Sequence, residues 1–502
     1  MTGLHRPTLA HLWALTVLVG VFVFVNTHPI RPHDFWWHLK VGEQLVTTGE
    51  IPTTDTFSYT RSGAPYTFWV FWLTQAWFYL VYRLGGPPLL VLAHSLIITS
   101  AYASVLWLAR AKSGSWRAAA LATLVAAALG LNDWNLRPQA IGFLMASLIL
   151  VVIHGYDRRE RPWLLTLIPA SLWIWANSHG SWPIGFVLLG LWLAQRGWCI
   201  VRRRVAGEQW QPQPLIAPAL TLGAGALALL LSPHGWARLG YVTRMSTDPR
   251  IQTLIPEWAP PSPTTGMGLL FYAALLGSAA LLALSPRRPS IMELGAFLAF
   301  GALGVRTARG VIWFGLIMAP TLARHLDMLA TEVTAHFHLT SPPTTEHPAF
   351  NRAIAGLLLL AAALTLPWFK TALPLPPEKA SVLSVAETPV AATAYLLEAQ
   401  PPGPLFHDLG FGSYLIWATT PDYRVFVDTR IELYPYALWE DYIAITNAAE
   451  DWEARLADYG VQTLLLSRQT QAKLIEAAAR SPRWEQRYAD ETAVIFVRQG
   501  PQ

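Results

Sequence analysis

Residues 28–68, HPIRPHDFWWHLKVGEQLVTTGEIPTTDTFSYTRSGAPYTF, decide how the rest of the chain is read. They are the first long polar interruption in a mostly apolar chain. An apolar run of helix length, residues 9–27, precedes them, and a long series of others follows. Two acids, Asp34 and Asp55, stand in settings that a plain connector does not need. The arrangement predicts the first external loop of a membrane enzyme.

The composition agrees. Of 502 residues, 53% are hydrophobic and 13% are charged, against about 25% charged in soluble domains. Low charge and repeated apolar runs place the chain in the membrane class. Its 24 Trp and 16 Tyr suit membrane–water interfaces, where amphipathic rings settle, and equally suit a sugar-binding groove. The net charge of +5 does not point to nucleic acid, because the basic residues sit in short clusters between apolar runs, as topology determinants do. A single cysteine, Cys199, excludes an intrachain disulfide and reads as a small buried hydrophobe. The first run follows Arg6, as in a signal peptide, but it is long and is followed by His28-Pro29 rather than a small-residue cleavage site. It reads as a retained first span.

Further spans are expected at 88–108, 118–132, 140–156, 162–176, 182–201, 215–231, 266–284, 290–305, 310–323 and 353–369. Residues 69–84 are aromatic and short, and end at Gly85-Gly86-Pro87-Pro88; they read as an interfacial helix that does not cross. With about eleven spans and a cytoplasmic N-terminus, five basic clusters face the cytoplasm. These are Arg110/Lys112/Arg117, Arg158/Arg159/Arg161, Arg202–Arg204, Arg287/Arg288 and Arg324. The same assignment puts outside the first loop, 132–138, 177–180, 232–265 and Arg306/Arg309. The working face is expected there. His325, His336, His338 and His347, in an internal loop spanning 324–352, form no compact metal set.

Residues 370–390 read as a Pro- and Ala-rich linker. Residues 391–502 read as an extracytoplasmic α/β domain with a mostly parallel sheet. Its strands are expected at 403–407, 424–428, 462–467 and 493–497, and its helices at 389–399, 435–446, 449–459 and 469–481. Asp408-Leu409-Gly410-Phe411-Gly412 is not a dinucleotide fingerprint.

Several side chains have chemistry to offer. Asp34 stands at the start of a predicted helix running to Val46. It is either an N-cap carboxylate or a fixed general base or cation ligand. Asp55 is either a turn carboxylate or a group that orients an acceptor hydroxyl or shares a cation with Asp34. Arg137, Arg306 and Arg309 lie at outer span ends, where a guanidinium takes a carboxylate, a lipid phosphate or the phosphate of a bound donor. Arg306 leads, with Arg309 one helical turn on. Asn177 and His179, and likewise His234, are either satisfied interfacial groups or donors to a phosphate or sugar hydroxyl. Glu257 in Pro256-Glu257-Trp258 reads as a carboxylate beside a stacking aromatic.

The chain resembles the polytopic glycosyltransferases of the GT-C superfamily, in particular bacterial proteins of the dolichyl-phosphate-mannose–protein mannosyltransferase type. The likeness rests on Asp34, Gly49-Glu50-Ile51-Pro52 with Asp55, Arg137-Pro138, Asn177-Ser178-His179-Gly180 and Arg306-Thr307-Ala308-Arg309, and covers residues 9 to about 370. It implies a transmembrane catalytic module over 1–369 and a catalytic first-loop acid, here Asp34. It also implies a polyprenyl-phosphate-linked sugar donor used at the external face of the bacterial inner membrane. Typical members carry an Asp-Glu pair where this chain has Asp34-Phe35. Trp36-Trp37 is followed by His38, not by the Asp of oligosaccharyltransferases, which disfavours glycan transfer to asparagine. The acceptor is a lipid, glycan or protein hydroxyl. No cofactor is called for, and a divalent cation stays open. The rival classes are a lipid or solute transporter and a noncatalytic scaffold. No inverted repeat and no acid at the middle of a clear span support the former.

Overall fold

The computed structural model describes residues 8–159, 161–206, 213–249, 254–338 and 346–499. Arg6, and parts of the connections 232–265 and 324–352, lie outside the described residues. Two compact units emerge. A helical unit comprises Met1–Asn26, Leu92–Ser246 and Ile255–Phe369. A mixed unit comprises Thr27–Val91, Thr247–Leu254 and Lys370–Gln502. The first loop is therefore built into the same unit as the C-terminal segment, where the sequence had suggested the membrane module.

Each of the eleven apolar runs is helical over most of its length. Among the described residues, five helices are long and apolar enough to cross a membrane: Leu9–Asn26, the run Trp69–Ser113, Gln139–Arg159, Pro183–Val205 and Gly266–Leu284. The protein is thus a polytopic α-helical membrane protein. Helix starts follow local chemistry. Ser115 and Thr265 accept hydrogen bonds from backbone N–H groups three residues on, and Ser290 with Glu293 forms a reciprocal capping box. In the core, alanines of Trp116–Gly130 (Ala119, Ala122, Ala126) are buried, and Gly315 of Val311–His336 lies against Ala126. Small side chains let two helices approach closely in this way. Trp313 stacks on Trp175 at 5.7 Å and meets Phe143 edge-on at 4.9 Å.

Connections that the sequence put on one side meet one another in the helical unit. At one end, Ala308 donates its N–H to the Ala259 carbonyl (2.9 Å) and Trp173 Nε1 donates to the Leu231 carbonyl (3.3 Å). At the other, Arg196 pairs with Asp157 (2.5 Å) and Arg324 with Glu293 (3.0 Å). Two expectations are corrected here. Val311–His336 runs through the first part of the predicted internal loop, carrying His325 into the core, where it bonds Ser285 (2.7 Å). Cys199 is exposed on its helix, not buried.

The run from 69 to 113 is broken at Gly85 and Gly86. Gly86 holds φ 61°, ψ −161°, which only glycine adopts readily, and Pro87 and Pro88 follow. In the mixed unit, Phe35–Thr48 ends on Gly49 at φ 76°, whose N–H bonds the Leu45 carbonyl. It packs so closely that a Cβ at Gly42 would lie 2.0 Å from the Gln75 carbonyl oxygen. Gly42→Ala is expected to cost about 1–3 kcal/mol through overpacking. A thermal melt with an unchanged midpoint would refute it.

The C-terminal sheet has four strands in the order β1 (Leu405–His407), β2 (Thr463–Ser467), β4 (Ala493–Arg498), β3 (Trp484–Ala489). Only β1 and β2 run parallel; the other two pairings are antiparallel. The expected mostly parallel sheet is therefore mixed. Residues 424–428 are not a strand of it. Val425 pairs instead with the first loop, donating to the Phe57 carbonyl (3.0 Å) and accepting from Tyr59 N–H (3.2 Å). The stretch after Asp408 opens a helix, Leu409–Thr419, capped by the Asp408 carboxylate. The supposed linker is also pinned, because Ile30 exchanges hydrogen bonds with Val382 and Ser384 (both 2.9 Å).

Candidate active site

The sequence-selected residues fall into the two units, and each group has its own geometry. In the mixed unit, Asp34 stands at the N-cap of Phe35–Thr48 with helical torsions (φ −60°, ψ −32°), and its side chain makes no capping hydrogen bond. Asp34 is half-buried. A second acid that the sequence reading missed, Glu432 in the turn Ile431–Leu433, feels its charge. Burial pushes the Glu432 carboxyl up to about 7, and the Asp34 charge adds to the push.

Asp55 stands in a different setting. It is buried, as are Arg430 and Asp428. Its Oδ1 accepts from Arg430 Nη1 (2.6 Å) and its Oδ2 from Ser58 N–H (3.0 Å). Arg430 also donates through Nε and Nη2 to Asp428 (2.8 and 2.6 Å). Tyr434 donates its hydroxyl to Asp428, and burial raises that phenol so that it stays a donor. The guanidinium sits among the rings of Trp37, Phe57 and Phe68 at 5.4–5.8 Å, which offsets part of its lost hydration. This closed network pins the hairpin carrying Asp55 to the segment carrying Arg430. Both carboxylate oxygens of Asp55 are engaged inside the protein. The alternation of charged and apolar residues in Val427-Asp428-Thr429-Arg430-Ile431-Glu432 is the signal that would have flagged the segment.

In the helical unit, three connections converge. Arg137 Nη1 donates to both oxygens of Glu257 (3.0 and 3.1 Å), and Arg309 donates to Oε2 through Nε (2.7 Å) and Nη2 (2.6 Å). Arg309 lies over the ring of Trp258 at 5.5 Å, so the aromatic beside Glu257 is occupied by a cation. Arg306 does not take the leading place given to it. Its helix ends there, Thr307 is extended (φ −144°, ψ 140°), and Arg306 is exposed. Arg309 is therefore not one turn further along the same helix, and its partner in the cluster is Arg137.

Asp133 and His179 face the same charges. Burial raises Asp133 to about 7, and Glu257 adds to this while Arg309 and Arg137 oppose it. Burial lowers His179 to about 3, reinforced by Arg309 and Arg137. The His179 Nδ1 accepts from Ser181 N–H (3.2 Å) and lies 2.8 Å from Ser181 Oγ, which itself accepts from Trp175 Nε1 (3.0 Å). That chain fixes the neutral tautomer with its proton on Nε2.

Asn177 is fully buried and bonded within the protein. Its Nδ2 donates to the Trp173 carbonyl and to Ser232 Oγ (both 2.8 Å), and its Oδ1 accepts from Arg238 Nη2 (2.6 Å). Arg238, which nothing in the sequence marked, also donates to the carbonyls of Ala176 and Pro233, tying two connections together. His234 is exposed in the left-handed region (φ 65°), before Gly235 at φ 43°.

Asp133 and His179 give a pH prediction. The acid, raised from 3.8, contributes stability below about pH 4 that is lost as pH rises towards 7. The histidine, lowered from 6.5, contributes stability above 6.5 that is lost as pH falls towards 3. The two oppose each other between about pH 4 and 6.5. The Asp133→Asn variant is expected to lose thermal stability on acidification more steeply than the parent, and His179→Gln to gain it. Melting profiles of both variants that run parallel to the parent's would contradict this.

No family model matches the chain, and no curated protein matches it. Solved structures do. A crystal structure of ArnT from Cupriavidus metallidurans bound to undecaprenyl phosphate is similar at 16% identity and TM-score 0.47, over 98% of this chain and 99% of that one. Its apo form is similar at 15% identity and TM-score 0.48, over 98% of both chains. The arabinosyltransferase EmbB from Mycobacterium smegmatis is similar at 16% identity and TM-score 0.41, over 81% of this chain and 42% of that one.

Proposed function

We propose that the protein is a membrane glycosyltransferase that moves a sugar from a polyprenyl-phosphate donor to a hydroxyl acceptor on a lipid, glycan or protein. The external face of the bacterial inner membrane is the assigned side, with the basic clusters cytoplasmic and the C-terminal domain extracytoplasmic. The observation that supports this best is the convergence of Arg137 and Arg309 on one carboxylate at 2.6–3.1 Å. A phosphodiester offers two anionic oxygens of the same kind to such a pair.

Arg137 and Arg309 are assigned the donor phosphate, and His179, a neutral donor beside them, assists. Asp34, in the mixed unit, is proposed as a base on the resemblance alone. In the transfer the acceptor hydroxyl gives its proton to a base as its oxygen bonds the anomeric carbon. The bond from that carbon to the phosphate oxygen breaks, and its electron pair leaves on the phosphate, with inversion. Charge on the departing phosphate is met by the two guanidinium groups.

The test is release of polyprenyl phosphate from labelled polyprenyl-phosphate sugars by the purified protein in lipid, with and without EDTA to read any cation requirement. Undecaprenyl phosphate serves as the product standard and binding probe. Arg137→Gln and Arg309→Gln are each expected to raise KM for the donor about 10–100-fold, the loss of charge-assisted bonds worth about 1.5–3 kcal/mol. No release from any donor would sink the reading.

A further inference from the structure

We infer that Glu257 is a displaceable internal stand-in for the donor phosphate, so that the lipid phosphate enters by exchanging with this carboxylate. The inference rests on the assignment of Arg137 and Arg309 to that phosphate. The N–H groups of both guanidiniums that converge on a common point are the ones spent on Glu257. A phosphate gripped by both arginines at that point takes the same N–H groups and competes with Glu257 for them.

The three side chains are not equally held. The side chain of Glu257 is 40% exposed, against 22% for Arg137 and 24% for Arg309. Glu257 rides on a single turn, Pro256–Trp258, with extended residues on both sides. Arg309 is backed by the Trp258 ring, and its own turn is fixed by Thr307, whose hydroxyl accepts from Gly310 N–H (3.1 Å). A rotation of the Glu257 side chain into water is therefore the small movement that opens the site, with the arginines left in place. Asp133, raised to about 7 by its burial, carries only part of a negative charge at neutral pH.

Such a stand-in has a consequence for specificity. At rest the two cations are compensated, so a dilute free phosphate has to displace a tethered carboxylate. A lipid-held phosphate, concentrated in the plane of the membrane, does so far more easily.

The experiment measures undecaprenyl phosphate binding to the full-length protein in nanodiscs, with inorganic phosphate as competitor. Glu257→Gln keeps the shape and removes the charge. It is expected to bind undecaprenyl phosphate at least about tenfold more tightly than the parent, and to become sensitive to millimolar inorganic phosphate where the parent is not. Unchanged or weaker binding by this variant, with Arg137→Gln and Arg309→Gln both weakened, would overturn displacement alone and make Glu257 a positioning group. Arginine variants that bind like the parent would overturn the phosphate assignment and this inference with it. Competition by inorganic phosphate at equal strength in parent and variant would also overturn it. Should Glu257→Gln fail to fold, hydrogen exchange on the parent decides. Adding undecaprenyl phosphate should speed exchange at 256–259, and protection there would refute the exchange of anions.

Discussion

Arg430→Met is expected to destabilise the mixed unit by about 3–5 kcal/mol, the scale for removing one partner of a buried ion pair. The reason is charge, not volume. Arg430, Asp55 and Asp428 have fully buried side chains. Removing the guanidinium leaves two carboxylates facing each other without a counter-charge, in a setting lined by Trp37, Phe57 and Phe68. Water cannot easily replace what is lost. Asp55→Asn should cost less, because Arg430 keeps Asp428, to which it makes two side-chain bonds, and the amide oxygen can still accept from Ser58. The ranking separates a structural Asp55 from a catalytic one. A structural role predicts a lower melting temperature, and accelerated proteolysis of the 51–68 hairpin, for both variants, with Arg430→Met the worse. A catalytic role predicts that Asp55→Asn keeps the parent's melting curve and loses turnover. Matching melts for parent and Arg430→Met would remove the ion-pair account altogether.

What the sequence made legible follows from the range of the physics involved. Apolar runs of helix length report on themselves, and each of the eleven is helical. Asp34 at a helix start was legible because the switch from Pro32 to an apolar helical pattern is local. The partner of Asp55 was not, since Arg430 lies 375 residues away and no local pattern encodes that pairing. The segment 424–428 carries the apolar signature of a buried strand. Residues 425–428 are indeed buried, but Val425 finds its backbone partner in the first loop. Strand β3, WEQRYA, was missed because it is an edge strand whose side chains are mostly half-exposed or exposed, which leaves a weak pattern. The choice of Arg306 over Arg309 failed on a helix end. Thr307, which caps the next turn, breaks the spacing on which the pair was argued. Spacing rules hold only inside one helix, and a threonine before a short Ala-Arg-Gly turn was the available warning.

Asp34→Asn should slow transfer by orders of magnitude while leaving the fold intact, and this is the prediction on which the proposed chemistry turns. A general base contributes about 10²–10⁴-fold, so turnover should fall by that factor at saturating donor, with donor affinity kept, because the phosphate is assigned to other residues. Loss of fold is not expected. The side chain of Asp34 makes no cap bond to Phe35–Thr48, and asparagine suits an N-cap as well as aspartate does. The helix is held instead by its buried face, Phe35, Trp36, Trp37, Leu39 and Val41, and by Trp37 N–H donating to Ser413 Oγ at 2.9 Å. The measurement pairs a melting curve with single-turnover release of polyprenyl phosphate. A variant with the parent's melt and the parent's rate would strip Asp34 of its role. Glu432, the neighbouring acid, would then be the next residue to test, since burial and the Asp34 charge keep it near the protonation balance that proton transfer at neutral pH requires. A variant that melts early would instead show that the carboxylate supports the loop. Asp34→Glu would then distinguish the two demands, because it restores charge but moves the oxygens about one bond further out. Restored stability without restored turnover would locate the requirement in the geometry of a base.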